Sequence, residues 1–149
     1  LPNCAAPAWM NIAKTLLPRG KVNGAGFENI TRKKMIIQIL QIIAAVGTIL
    51  TGLFSLIKPE AVTGFTGLRP EGGRGITEIR AILGGFFVAL GAAPLFLNSP
   101  VAYMMLGIAY LGVALVRGVS MFTDKSVVQS NVISLVVEII FGIILVLPS

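Results

Sequence analysis

Twelve basic and six acidic side chains supply all the formal charge of this 149-residue chain. Glu78, Arg80, Arg117 and Glu138 fall within or at the edge of long apolar runs. A charge at a bilayer centre costs at least ~2.5–3.5 kcal/mol, so such residues need partners or a purpose. Two acids and two bases can form a neutral network, an ion-paired clasp that fixes helix order and register. The competing chemistry is a proton or solute path in which Glu138 titrates. Charge balance favours the clasp, because a paired carboxylate holds its charge and makes a poor carrier.

Other chemistries lack their residues. The chain has no histidine and one cysteine, Cys4, read as an ordinary thiol. That excludes His-based acid/base catalysis, Cys–His pairs, His-ligated haem and the common zinc sites. A chlorophyll magnesium would have to take Glu138, Gln38, Gln41, Asn131, a backbone carbonyl or water, since hard oxygen suits that ion. Contact with lipid, or peripheral contact with chlorophyll or carotenoid, is compatible with the composition, but nothing requires it. The eight Phe read as packing or lipid contact. No motif or composition bias points to nucleic acid.

The elements that position these charges follow from composition. Apolar residues make up 55% and charged ones 12%, against about 25% charged in typical soluble domains. Mean hydropathy is +0.89. Apolar runs cover about 35–57, 77–97, 101–122 and 128–147, each near the ~20 residues that cross a bilayer as helix. Their continuity excludes the alternation of a barrel strand. The expected fold is all-α, an integral membrane four-helix bundle (35–149), preceded by a basic tail (1–34).

Within the spans, Glu78, Ala81, Gly85, Ala89 and Ala93 share one helical face, a small-residue stripe suited to close helix packing. Ser134, Glu138 and Gly142 stack on the fourth span, and Ala44, Thr48 and Gly52 on the first. Tyr103, Tyr110 and Arg117 repeat every seven residues on the third, with Ala114 beside Arg117. Arg80 lies on a different face from Glu78. Lys14, Arg19, Lys21, Arg32, Lys33 and Lys34 precede the first span, against Lys58, Arg69, Arg74 and Lys125 on the other side. This bias places both termini on the cytoplasmic, stromal or matrix face. All four embedded charges then share one leaflet.

In the tail, Trp9, Ile12, Ala13, Leu16 and Leu17 follow helical spacing between Pro7 and Pro18. They predict an amphipathic helix that lies in the membrane interface or docks into a partner's groove. Lys21–Ile30, with Gly24 and Gly26, reads as a flexible connector. The first residue is Leu, so removal of an initiator or targeting peptide is expected.

The run Gly67-Leu68-Arg69-Pro70-Glu71-Gly72-Gly73-Arg74-Gly75, followed by Glu78-Ile79-Arg80-Ala81 and Gly84-Gly85, resembles an uncharacterised family of four-helix integral membrane proteins. That family shows Glu-x-Arg and a Gly pair in its second helix, an Arg late in the third and a Glu in the fourth. Glu78, Arg80, Gly84, Gly85, Arg117 and Glu138 fall on this pattern. The resemblance covers about 35–148 and implies the fold and the clasp, but no activity. Arg69–Gly75 lacks the spacing of a phosphate-binding loop and reads as a turn. Arg69 and Arg74 read as solvated loop charges before headgroup ligands.

The function expected from these features is a non-catalytic accessory subunit of a larger membrane complex. An energy-converting assembly is expected, photosystem-type before respiratory, in a thylakoid, mitochondrial inner or bacterial inner membrane. Its helices would pack against neighbouring subunits while the tail docks at the membrane surface. The alternative is a small proton-linked transporter or channel using Glu138 with Arg117 and Glu78. A membrane enzyme is the weakest reading, because no nucleophile–base pair can be assembled.

Overall fold

The computed structural model describes residues 24–148, with side chains from Glu28 onward apart from that at position 65. The expectations for Trp9, Ile12, Leu16 and Leu17 therefore lie outside the described residues. Four helices are long and apolar enough to cross a membrane. We name them α1 (Gly24–Ile57), α2 (Gly72–Leu97), α3 (Pro100–Thr123) and α4 (Gln129–Val146). Among the described residues there is no strand. The residues from Lys33 onward form one compact unit, an up-and-down bundle in which α2 follows α1, α3 packs on α2, and α4 packs on α3.

The bundle is patterned inside out relative to a soluble protein. On α1 the fully buried positions are Gln41, Ala44, Ala45, Thr48 and Ser55, whereas Ile36, Ile39, Ile43 and Leu50 face outward. Small and polar side chains inside, with large aliphatics outside, suit a lipid solvent that gives Leu no reason to hide. The buried hydroxyls are satisfied within their own helix: Thr48 donates to the Ala44 carbonyl at 2.8 Å and Ser55 to that of Thr51 at 3.0 Å. An apolar core of Ala44, Ala45, Tyr103, Leu106 and Leu145 fills the end nearest the α2–α3 turn.

Glycines make the two helical seams. A Cβ on Gly52 would meet the Val88 nitrogen at 2.7 Å and the Gly84 carbonyl oxygen at 2.8 Å, so α1 and α2 touch backbone to backbone. Gly91 repeats this contact two turns on, where a Cβ would meet the Ala45 carbonyl oxygen at 2.7 Å. Between α3 and α4, Gly107 faces the Gly142 carbonyl in the same manner, at 3.0 Å.

The stripe expected to pack, Ala81, Gly85, Ala89 and Ala93, is exposed instead. The inward positions of α2 are Ile79, Gly84, Gly91 and Pro94. The cause is local: Ile79–Phe86 is π-helical. Its i→i+5 bonding adds a residue to the turn, so Gly84, not Leu83, follows Ile79 inward. Leu56 fills the space a Cβ at Gly84 would need.

Boundaries agree with the apolar runs except where glycine or charge misled. α1 begins at Gly24, so much of the expected Lys21–Ile30 connector is helix. Extending a helix that is already nucleated is cheap, and the intervening Arg and Lys residues favour it. α2 begins at Gly72, whose φ of 62° supplies the turn into it, so only the first part of Arg69–Gly75 is open loop. Between α1 and α2, a 3-10 turn (Pro59–Val62) and one α turn (Thr63–Thr66) fold back toward α4, with Val62 fully buried. α3 begins with Pro100 in its first turn. It ends where Lys125 takes φ 51° and the Ser126 N–H reaches the Met121 carbonyl at 3.1 Å.

Candidate functional site

Arg117 lies on α3 and Glu138 on α4, each on the face predicted to pack. The close Gly107–Gly142 approach and the buried Ala114 bring these helices near enough for the two side chains to meet. Arg117 Nε donates to both Glu138 oxygens at 2.9 Å, and Nη2 donates to Oε1 at 2.7 Å. The Glu138 side chain is 11% exposed and that of Arg117 29%. Asn131 completes the group: its Oδ1 accepts from Arg117 Nη1 at 3.4 Å, and its Nδ2 donates to the Ser126 carbonyl at 2.9 Å. A forked, charge-assisted contact of this kind fixes both distance and orientation.

Two turns along α3, Tyr110 Oη lies 2.7 Å from Thr48 Oγ1, which joins α3 to α1 across the bundle. Thr48 has a single hydrogen, already given to Ala44, so Tyr110 is the donor. The Phe141 ring meets Tyr110 edge-on, with centroids 5.6 Å apart. Cavities flank this polar layer. One of about 360 Å3 lies between α2 and α3, with Thr48, Tyr110 and Glu138 among its lining. Another of about 500 Å3 lies between α1, α4 and the α1–α2 connector, and also reaches Tyr110, Arg117 and Glu138.

The four-charge clasp is corrected to Arg117–Glu138 with Asn131. Glu78 and Arg80 are exposed. Ile79 between them is the inward residue, and successive helical residues point about 100° apart, so both its neighbours are carried outward. Arg80 instead borders a surface hollow with Lys58 and Glu60. Ser134, Glu138 and Gly142 on α4, and Ala44, Thr48 and Gly52 on α1, do turn inward together.

The candidate pigment ligands have other duties or positions. Glu138 and Asn131 are engaged by Arg117, and Gln38 faces outward. Gln41 is 1% exposed, and its Nε2 donates to the Leu147 carbonyl at 2.8 Å, capping the end of α4. Its Oε1 is buried without a partner. Sequence reasoning missed this cap and the inward roles of Gly84, Gly91 and Gly107. The heptad spacing of Gln41, Thr48 and Ser55, and of Gly84 and Gly91, was the available signal.

Residues 36–148 match the family described as domain of unknown function DUF4345. The chain belongs to this family. The match covers all four spans apart from the start of α1 and includes Arg117 and Glu138. Comparison with curated proteins and with solved structures finds no match. For this DUF4345 chain, function is argued from its own geometry.

Proposed function

We propose that this protein is a non-catalytic helical subunit of a larger membrane complex, stabilising assembly through the outward face of α2. One observation carries the reading. Ala81, Gly85, Ala89 and Ala93 form a small-residue stripe that the bundle leaves free, while other glycines make its own seams. A Cβ on Gly85 would come no nearer than 3.8 Å to the Arg80 carbonyl, whereas on the adjacent Gly84 it would strike Leu56 at 2.6 Å. In lipid, such a stripe lets another helix approach closely, which is where van der Waals association between spans is won. Glu78 at the head of the same face offers a basic or hydrogen-bonding residue of the neighbour a partner.

The finer reading is an energy-converting complex, photosystem-type before respiratory, with both termini on the stromal, matrix or cytoplasmic side. It rests on composition and charge bias. Native electrophoresis of mildly solubilised membranes tests the subunit reading directly. The chain is expected in a stoichiometric complex far heavier than itself, and Gly85→Leu is expected to release it with its helical content intact. Migration of the native chain alone refutes the proposal. The absorbance of the complex separates photosynthetic from respiratory membership.

A proton-linked transporter is the second reading, and one observation favours it: Glu138 borders cavities on two sides of the bundle. Loss of proton-coupled uptake in Glu138→Gln vesicles with assembly intact would support it.

A further inference from the structure

The cavity of about 360 Å3 between α2 and α3 has a chemistry of its own. Its size falls within the roughly 300–1,000 Å3 of small-molecule pockets. Phe86, Leu97 and Met105 form an exposed apolar rim, so it opens sideways toward the surroundings of the bundle. Leu106 and Pro94 are buried deeper, and the polar groups of Thr48, Tyr110 and Glu138 lie on the floor.

The hydrogens on that floor are already assigned. Thr48 gives its own to Ala44, and Tyr110 gives its own to Thr48. Tyr110 Oη keeps acceptor capacity, and so does Glu138, whose Oε2 accepts only from Arg117 Nε. The described polar side chains of the cavity therefore present acceptors. The Glu138 charge is already compensated by Arg117, so a cation is not required.

We infer that this cleft binds a membrane-soluble molecule with an alcohol or phenol head, which donates to Tyr110 Oη or Glu138 while its apolar body lies along Phe86, Leu97 and Met105. A carbonyl or ether head of the same shape finds no donor there and leaves its oxygen and the floor acceptors unpaired. The inference does not rest on the subunit proposal: the cleft lies inside one chain and shares only Ala93 with the outward stripe.

The test uses the full chain in nanodiscs and a matched pair of probes, 4-octylphenol and 4-octylanisole. They differ in one hydroxyl hydrogen replaced by methyl. Saturable elevation of Tm is expected with the phenol, at roughly tenfold lower concentration than any effect of the ether, as fits one hydrogen bond to a charged or phenolic acceptor. Ala109→Trp, on the cavity wall, should abolish the phenol effect, and Ala102→Phe serves if that variant does not fold. Tyr110→Phe should narrow the phenol's advantage over the ether. Equal responses to the two probes, no saturable response to either, or a phenol response that survives the filled cavity would each overturn the inference.

Discussion

Gly52→Ala and Gly85→Ala place one methyl group on opposite sides of the same helix pair and should act with opposite sign. Replacing Gly by Ala in a helix interior favours the helix by about 1 kcal/mol. At Gly85 nothing offsets that gain, since the new Cβ lies 3.8 Å from its nearest neighbour. At Gly52 the Cβ would sit 2.7 Å from a backbone nitrogen and 2.8 Å from a backbone oxygen of α2, and neither can rotate away. Overpacking costs typically about 1–3 kcal/mol. Backbone obstruction at these distances belongs at the upper end, so the net loss at Gly52 is about 1–2 kcal/mol. The two variants should therefore differ by about 2–3 kcal/mol, a factor of roughly 30–150 in the unfolding equilibrium. Unfolding in mixed micelles of rising SDS fraction, read by pulse proteolysis, resolves such a gap. If Gly52→Ala is as stable as Gly85→Ala, the α1–α2 backbone contact and the π-helical register that creates it are wrong.

Three further perturbations address the polar layer. Glu138→Gln leaves the half-buried Arg117 guanidinium without its counter-charge and should destabilise the bundle by about 2–3 kcal/mol, less than for a fully buried pair, while Arg117→Met with Glu138→Leu recovers most of the loss. A double variant no more stable than the single one, in the same SDS titration, contradicts a structural pair. Arg117→Lys keeps the charge but loses the fork, so a fall of about 1.5–3 kcal/mol is expected from the missing charge-assisted bonds. Gln41→Leu removes the cap on Leu147 but also the unpartnered Oε1, so global stability should stay within about 1 kcal/mol. Hydrogen exchange at the α4 C-terminus should nevertheless quicken, and unchanged exchange there would count against the cap.

The spans were legible because lipid leaves a continuous apolar signature, which needs no tertiary information to read. The α3 and α4 faces were legible too: Tyr103, Tyr110, Ala114 and Arg117 on one, and Ser134, Glu138 and Gly142 on the other, follow plain α-helical spacing in helices that stay α-helical. α2 was not, because its buried face cannot be extrapolated at 3.6 residues per turn through Ile79–Phe86. Ala81, Gly85, Ala89 and Ala93 form a coherent stripe, and spacing identifies a stripe without saying whether it faces in or out. Glu78 and Arg80 left the clasp because the residue between them, Ile79, is the one that turns inward. Gln41 escaped notice because its partners, the last carbonyls of α4, lie more than 100 positions away in sequence.

The meeting of Arg117 and Glu138 follows from antiparallel geometry more than from depth. Gly107 lies opposite Gly142, and the α3–α4 turn closes with Ser126 bonded to Met121, so Arg117 stands level with the first turn of α4. Asn131 occupies that level, and its Oδ1 takes Nη1. Glu138 is about two turns further along, roughly 10 Å at 1.5 Å per residue. Each side chain leans toward the N-terminus of its own helix. In antiparallel neighbours those leanings converge, Arg117 reaching along α4 toward Glu138 and Glu138 reaching back. Two of the longer side chains therefore close a gap that a level pair would not need. A sliding of α3 against α4 by even one turn would put the guanidinium beside Ser134 or Gly142, neither of which offers a carboxylate. The pair thus specifies register, while the glycine seams, which tolerate a one-turn slip less through attraction than through steric fit, specify distance.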